Sequence, residues 1–315
     1  MYTIGIDLGG TNIAVGICNE DLEIIDKASA PTLSKRPIEQ IVADMAALCK
    51  KLAERNSISM DKIDRIGIAV PGTINSARGI VEYSNNIVMK NTPIVELFKK
   101  HIDKEVLITN DANAAALGEA LAGSGKGKKS LVMVTLGTGV GGGIVIGGRP
   151  YSGAHGCGSE IGHMILKMDG EMCTCGNAGC FERYASATAI IREAKKAVAD
   201  HPESSIMEKC GGDVEKINAK IVIDSAKEGD ETAKMVFDGY VRGLAHGIVS
   251  IINMIDPEVI LLGGGVAHAG QFLLDAVREA VKPLVFFKTM PYARIELAQL
   301  GNDAGIIGAA FLGKK

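Results

Sequence analysis

Apolar positions along the chain recur at two periods, and the change from one to the other marks the elements. Residues 2–8 form a short run with the character of a buried strand, closed by Gly9-Gly10-Thr11 and followed by a second strand over 13–17. The pair predicts a strand–turn–strand hairpin, with a third strand near 22–27. Over 37–55 the period lengthens: Ile38, Ile41, Val42, Met45, Leu48, Cys49 and Leu52 give one apolar helical face. Strands are expected at 65–70, stopped by Pro71-Gly72, and at 105–109. Asn110-Asp111 then reads as the cap of an alanine-rich helix over 112–122.

The pattern restarts at Ser130. A strand over 130–136 leads into a second glycine turn over 137–143 and a returning strand at 144–146. Beyond a cysteine-rich loop at 173–180 come helices, then a late strand at 259–262 that ends in Gly263-Gly264-Gly265. Asn302-Asp303 reads as the cap of a last helix over 304–312. Two glycine hairpins, each opening one half, predict a duplicated α/β unit. A length of 315 residues suits two domains. The junction is placed near 110–120, which assigns 1–115 plus 303–315 to the first domain and 116–302 to the second.

Composition narrows the function classes. A hydrophobic fraction of 47% supports large cores, and 39 glycines with 4% aromatics and no Trp favour sites built from backbone over stacking platforms for bases. A net charge of −3 carries no electrostatic footprint for nucleic acid or an anionic membrane. The first residues run into a strand without a signal-peptide pattern, and no apolar run reaches the roughly 20 residues of a membrane helix. The expectation is a cytoplasmic protein with neither nucleic-acid nor membrane partners. Seven cysteines make an odd set for a disulfide framework, and a reducing compartment keeps them as thiols or metal thiolates.

Two segments carry candidate chemistry: Asp7-Leu8-Gly9-Gly10-Thr11-Asn12 and Gly137-Thr138-Gly139-Val140-Gly141-Gly142-Gly143. Phosphate oxygens need several N–H donors at short range, which glycine permits because no Cβ intervenes, and threonine adds a hydroxyl. Asp7, at a strand end, can hold a magnesium ion through water. One such turn alone would pass for an ordinary hairpin; two in matching positions make that reading poor. The second also satisfies G-x-G-x-x-G, but a strand follows it where a dinucleotide fold needs a helix. The segment 123–130 lacks P-loop spacing, and no H-R-D or D-F-G sequence exists, so the P-loop and protein-kinase readings fall away.

Together these features resemble the ribonuclease H-like fold shared by actin and the sugar kinases, in which two related α/β domains clamp ATP and the active site lies in the interdomain cleft. Cys173-Thr-Cys175-Gly-Asn-Ala-Gly-Cys180-Phe-Glu182 matches the signature C-x-C-G-x-x-G-C-x-E of the ROK family, and Glu160-Ile161-Gly162-His163 matches its E-x-G-H. The resemblance runs over essentially the whole chain, from DLGGTN at 7–12 to LGGGVA at 262–267. It implies ATP with Mg2+, a hexose substrate and a homodimer. Three thiolates and one imidazole also make a closed tetrahedral zinc site, with no place kept for water. His163, Cys173, Cys175 and Cys180 supply that set within 163–182, and the ion is read as structural. Incidental surface thiols are the weaker alternative, because three cysteines fall within eight positions among glycines.

By the same resemblance Asp111 is the catalytic base; on its residues alone it would be a helix cap, and the two roles are compatible. Asn110, Glu160, His163 and Glu182 are implied sugar ligands, with Gly72 lining the pocket. One of Asn85 and Asn86 joins them, the choice left open. The resemblance assigns Asp7, Gly9, Gly10, Thr11, Asn12, Gly137, Thr138 and Gly139 to the phosphates and metal, and Gly264 and Gly265 to the adenosine. The tract 180–189 is similar to ROK glucokinases, which implies phosphorylation of glucose at its 6-hydroxyl. N-acetylmannosamine, fructose and allose kinases share the scaffold and stay as alternatives. The sugar-responsive repressors of the family carry a helix-turn-helix ahead of the kinase-like body, for which DLGG at residue 7 leaves no room. A sugar-binding protein without catalysis is opposed by the intact Asp111 and both phosphate turns.

Overall fold

Residues 1–313 are described by a computed structural model and fall into two compact units. The first comprises Met1–Met133, Gly143–Ser159 and the chain from Ala298 onward; the second comprises Val134–Gly142 and Glu160–Leu297. The division expected at 115/116 falls inside a helix that stays with the first unit.

The strands of the first unit are β1 (Tyr2–Leu8), β2 (Asn12–Cys18), β3 (Ile24–Pro31), β4 (Ile63–Val70), β5 (Thr73–Asn75), β6 (Ile80–Ser84), β7 (Met89–Thr92) and β8 (Glu105–Asn110). Five of them form a sheet in the order β3-β2-β1-β4-β8, while β5, β6 and β7 make a small antiparallel sheet. Within the main sheet β1, β2 and β3 pair antiparallel, and β1, β4 and β8 pair parallel.

The period of two along each strand sorts large from small side chains. Ile4, Ile6 and Leu8 of β1, Ile13, Val15 and Ile17 of β2, and Ile66, Ile68 and Val70 of β4 share one core. Helix α1 (Ile38–Arg55) lies against them and contributes Ile41, Val42, Met45, Cys49 and Leu52 to the same core. The opposite face carries Gly5, Ala14, Gly16, Gly67 and Ala69. There the last helix, Asp303–Ala310, rests its backbone almost directly on the sheet: a Cβ on Gly67 would stand 1.7 Å from the Ala309 carbonyl oxygen. After α2 (Ile94–Lys99), helix α3 (Asp111–Ala122) meets the same last helix as closely, since a Cβ on Gly308 would stand 1.7 Å from the Ala114 oxygen. The fully buried Glu119 of α3 fixes the approach to that helix. Its Oε1 accepts the N–H groups of Gln299 (2.9 Å) and Leu300 (2.7 Å), and its Oε2 accepts that of Ser124 (3.0 Å).

A second five-stranded sheet is built from β9 (Ser130–Leu136), β10 (Val140–Ile146), β11 (Arg149–Pro150), β12 (Val259–Gly263) and β13 (Arg294–Leu297). Its order, β11-β10-β9-β12-β13, repeats the permutation of the first sheet, as a duplicated unit requires. Helices α4 (Glu182–Ala185), α5 (Ala187–Asp200), α6 (Ser205–Lys209), α7 (Ala219–Lys227), α8 (Glu231–Ile255) and α9 (Gln271–Val281) belong to the second unit. Helix α8 is long and apolar enough to cross a membrane by length and composition, contrary to the expectation that no apolar run reaches that length. Its apolar residues Phe237, Val241, Leu244, Ile248 and Ile251 are instead buried within the unit.

Several element boundaries differ from expectation, and β4, for one, starts at Ile63, two residues early. β3 runs over 24–31, two residues later at its start. β10 begins at Val140, so Gly141, Gly142 and Gly143 belong to a strand and not to the turn. The reason is packing: a Cβ on Gly143 would stand 2.3 Å from the Ala112 carbonyl of α3. The last helix starts at Asp303, and Asn302 makes no capping hydrogen bond.

Candidate active site

The first glycine turn joins β1 to β2 and is closed by the Gly9 N–H donating to the Asn12 carbonyl at 2.9 Å. Thr32, fully buried at the end of β3, braces it from behind. The Thr32 hydroxyl donates to the Gly9 oxygen at 2.6 Å, and its N–H donates to the Thr11 oxygen at 2.8 Å. Gly10, Thr11 and Asn12 line a cavity of about 520 Å³ with Asp7. The carboxyl of Asp7 is pushed up to about 6, first by burial and then by the negative charge of Asp111. A half-buried carboxyl raised by burial and by a neighbouring carboxylate is a setting that a divalent cation would relieve, so the residues fit a magnesium ion held by Asp7.

Asp111 is the first residue of α3, but the cap of that helix is Asn110. The Asn110 Oδ1 accepts the N–H groups of Ala112 (2.9 Å) and Asn113 (3.3 Å), and its Nδ2 donates to the Gly72 oxygen at 3.0 Å. Gly72 has φ of +112°, a left-handed conformation that glycine adopts without a Cβ penalty. The expected cap pair thus divides its labour. Asn110 ties the helix start to the Pro71-Gly72 corner, and the Asp111 Oδ1 accepts the Ala112 N–H at 2.9 Å. Burial raises the Asp111 carboxyl above its ordinary range, opposed by that N–H. Of the two asparagines in the β6–β7 turn, Asn85 receives the hydroxyl of Tyr83, whereas Asn86 lies against Gly10 of the phosphate turn. Asn86 thus stands against the first glycine turn.

The second turn, Gly137-Thr138-Gly139, is held by the start of α5: the Ala187 N–H donates to the Gly137 oxygen at 2.8 Å and the Thr188 hydroxyl to the Thr138 oxygen at 2.7 Å. Glu182 closes its other side. Its Oε2 accepts the Val140 N–H at 3.4 Å and would lie 2.5 Å from a Cβ on Gly139, so only glycine leaves that carboxylate its place. Gly264 turns against the backbone of Leu136, and Gly265 beyond it faces open space.

The cysteine loop is folded by short bridges between Ile165 and Cys180 and between Met172 and Ala178. It brings ligand atoms of His163, Cys173, Cys175 and Cys180 within 4.8 Å of one another. Cys175 Sγ lies 3.5 Å from Cys180 Sγ, and Cys173 Sγ lies 3.7 Å from His163 Nδ1. A tetrahedron with Zn–S bonds of about 2.3 Å and a Zn–N bond of about 2.0 Å has edges near 3.5–3.8 Å, so the four residues fit a zinc ion. Burial pushes the Cys180 thiol up to about 12 and raises Cys173 as well, so thiolates there need a cation beside them. The Cys173 Sγ also donates to Glu182 Oε1 at 3.1 Å, which joins this loop to the second glycine turn. Glu160 precedes the short helical turn Ile161–His163 and is exposed.

Thr32, Thr188 and Lys27 escaped the sequence reading, and Asp303 was read there only as part of a helix cap; Lys27 and Asp303 also line the first cavity. Each acts at a distance along the chain from the motif that it serves, and no local pattern announces it.

The model of the ROK family matches residues 3–315. The chain is 36% identical over 313 residues to the glucokinase of Thermotoga maritima, covering 99% of this chain and 97% of that one. Among solved structures it is similar to a ROK family glucokinase from Streptomyces griseus in complex with glucose and AMPPNP, with a TM-score of 0.82, 33% identity and 99% of each chain covered. A ROK hexokinase from Thermus thermophilus superposes with a TM-score of 0.84 at 30% identity, over 98% of this chain and 97% of that one.

Proposed function

The chain belongs to the ROK family, and on that premise we propose that it transfers the γ-phosphoryl group of ATP to the 6-hydroxyl of a hexose, glucose before others. Its fold is the mixed α/β fold of the ROK sugar kinases, and the Thermotoga maritima and Streptomyces griseus relatives, both named glucokinases, support glucose as the acceptor. The observation that carries the reading is the pair Asp7 and Asp111, two half-buried carboxylates, the first lining the cavity at the first glycine turn and raised in part by the charge of the second.

Asp111 is the base. As the 6-oxygen attacks the γ-phosphorus, its proton passes to the Asp111 carboxylate, the new O–P bond forms, and the bond to the β-phosphate oxygen breaks to release ADP. The raised pKa of Asp111 makes its carboxylate a stronger acceptor than an exposed one. Phosphoryl transfer runs through a loose transition state, so the N–H groups of the two glycine turns serve mainly to position and to hold charge. Asp7 would hold Mg2+, which neutralises phosphate charge when bound.

Glu160, His163, Glu182, Asn110 and Asn86 are assigned to the sugar, and Gly264 and Gly265 to the adenosine. His163 turns Nδ1 to the thiols, which leaves Nε2 for a hydroxyl. Zinc held by His163, Cys173, Cys175 and Cys180 would act as a cross-link that sets the direction of both His163 and Glu182. A cytoplasmic homodimer, implied by the family, is part of the same proposal.

Steady-state kinetics with ATP over glucose, N-acetylmannosamine, fructose and allose test the substrate. Glucose is expected to give the highest kcat/KM. Sites that hydrogen-bond a hydroxyl can reject an analogue without it by as much as about 10⁴-fold. A higher value for any of the other three would replace glucose and leave the kinase reading standing.

A further inference from the structure

The cavity at the first glycine turn contains an ion pair that the reaction above leaves without a role. Lys27 Nζ and Asp303 Oδ1 are 2.6 Å apart, and both residues line that cavity of about 520 Å³ together with Asp7 and Gly9, Gly10, Thr11 and Asn12. The fold explains how they meet. Lys27 of β3 pairs with Gly16 of β2, and paired residues point to one face of a sheet. Gly16 faces the last helix, because a Cβ there would stand 2.7 Å from Ile306 Cγ2. Ile306 is one turn beyond Asp303, so the Lys27 side chain rises beside the start of that helix and finds the carboxylate.

Among the residues lining the cavity Lys27 is the one cation, against the carboxylates of Asp7 and Asp303. The side chains of Lys27 and Asp303 are 57% and 35% exposed, a setting in which an ion pair adds little to stability. We propose that Lys27 is the fixed positive charge for the terminal phosphates of the nucleotide, and that Asp303 is the positioning residue that aims it. This rests on the kinase reading above. The N–H groups of the turn offer partial charges only, whereas a phosphate chain brings several full negative ones, and a lysine ammonium meets them as a point charge. A long lysine side chain loses rotamer freedom when it is held on a ligand. Asp303 meets that cost beforehand, and it can do so because its helix is seated by backbone contact on the sheet and by the N–H groups bound to Glu119.

The test uses the full chain with Lys27→Met, Lys27→Arg, Asp303→Asn and the double variant. Lys27→Met is expected to raise KM for MgATP about tenfold, the order for a hydrogen bond to a charged group, with KM for the hexose changed less than about twofold. Lys27→Arg restores most of the loss. Asp303→Asn gives a smaller rise, and the double variant matches Lys27→Met because Asp303 acts only through Lys27. An unchanged KM for MgATP in Lys27→Met, or equal rises in both KM values, would overturn the role of Lys27. Additive effects in the double variant would overturn that of Asp303. Calorimetric binding of tripolyphosphate to the wild type and to Lys27→Met keeps the test apart from turnover. Weaker binding by the variant supports the proposal even if glucose proves to be the wrong acceptor, and equal binding sinks it.

Discussion

Asn110 caps the helix on which Asp111 is the first residue, and by taking the Ala112 and Asn113 N–H groups it relieves Asp111 of that duty. An aspartate at a helix start is ordinarily held by its own capping bonds. Here the neighbour performs the structural work, and the carboxylate next to it is available for chemistry.

Asp111→Asn is therefore expected to fold normally and to bind sugar, because the cap is untouched. Its kcat should fall by roughly a hundred-fold or more, the usual effect of losing a general base. A coupled assay with calorimetry for the hexose separates the two properties. Near-normal turnover would remove Asp111 from the proton transfer.

The raised Asp111 carboxyl also predicts the pH profile. The base must be ionised to act, so kcat/KM should fall on the acid side. The midpoint should lie above the ordinary aspartate value of about 3.9. A midpoint at or below that value would assign the limb to another group.

Asp7 makes the opposite kind of prediction, about stability. Its folded-state pKa, pushed up to about 6, stands above the unfolded value. Its contribution is therefore fully present below about pH 4 and lost as pH rises through 6. At neutral pH without Mg2+ the ionised group costs the fold about 3 kcal/mol at most. Asp7→Asn should raise the melting temperature of the metal-free protein at pH 7, and the gain should vanish at pH 4, while activity is lost. A variant that melts at or below the wild type at pH 7 would show that Asp7 is not strained.

For zinc, purified protein should contain about one equivalent per chain, as a closed four-ligand site holds. Cys175→Ser should lower both the zinc content, read by atomic absorption, and the affinity for the hexose. Full activity and sugar binding in demonstrably metal-free protein would show the thiols to be incidental.

Glu119→Ala removes the acceptor of three N–H groups at the approach to the last helix. Donors left unpaired where water reaches them only in part cost up to about 1–3 kcal/mol each, so the melting temperature should drop by roughly 5 °C. Glu119→Gln, which keeps an acceptor, should lose less. Equal melting of both variants and wild type would show that solvent replaces the carboxylate.

Much of this was legible along the chain because its signals are local. The strand over 130–136 is found as expected. Both glycine turns follow from residues adjacent to them, as does the cluster of His163, Cys173, Cys175 and Cys180. What escaped depends on distant partners. Glycine in a strand normally reads as a breaker, yet Gly141, Gly142 and Gly143 stay in β10, where α3 packs against Gly143. Asn302 has the composition of a cap but makes no capping bond. Thr32 and Glu119 look like ordinary residues until their partners at Gly9 and Leu300 are brought beside them.

The seat of the last helix has a consequence for how the protein is made. A ribosome delivers β1, β2 and β4 early and this helix only after the second unit, so one face of the first sheet waits uncovered while the second unit is synthesised. At usual elongation speeds the wait is on the order of ten seconds. The glycines and alanines that let the helix lie flush also present little greasy area during that interval. The nascent chain thus carries an unfinished surface that is poor at capturing the wrong neighbour, and a chain cut short before residue 303 would keep that surface open for good.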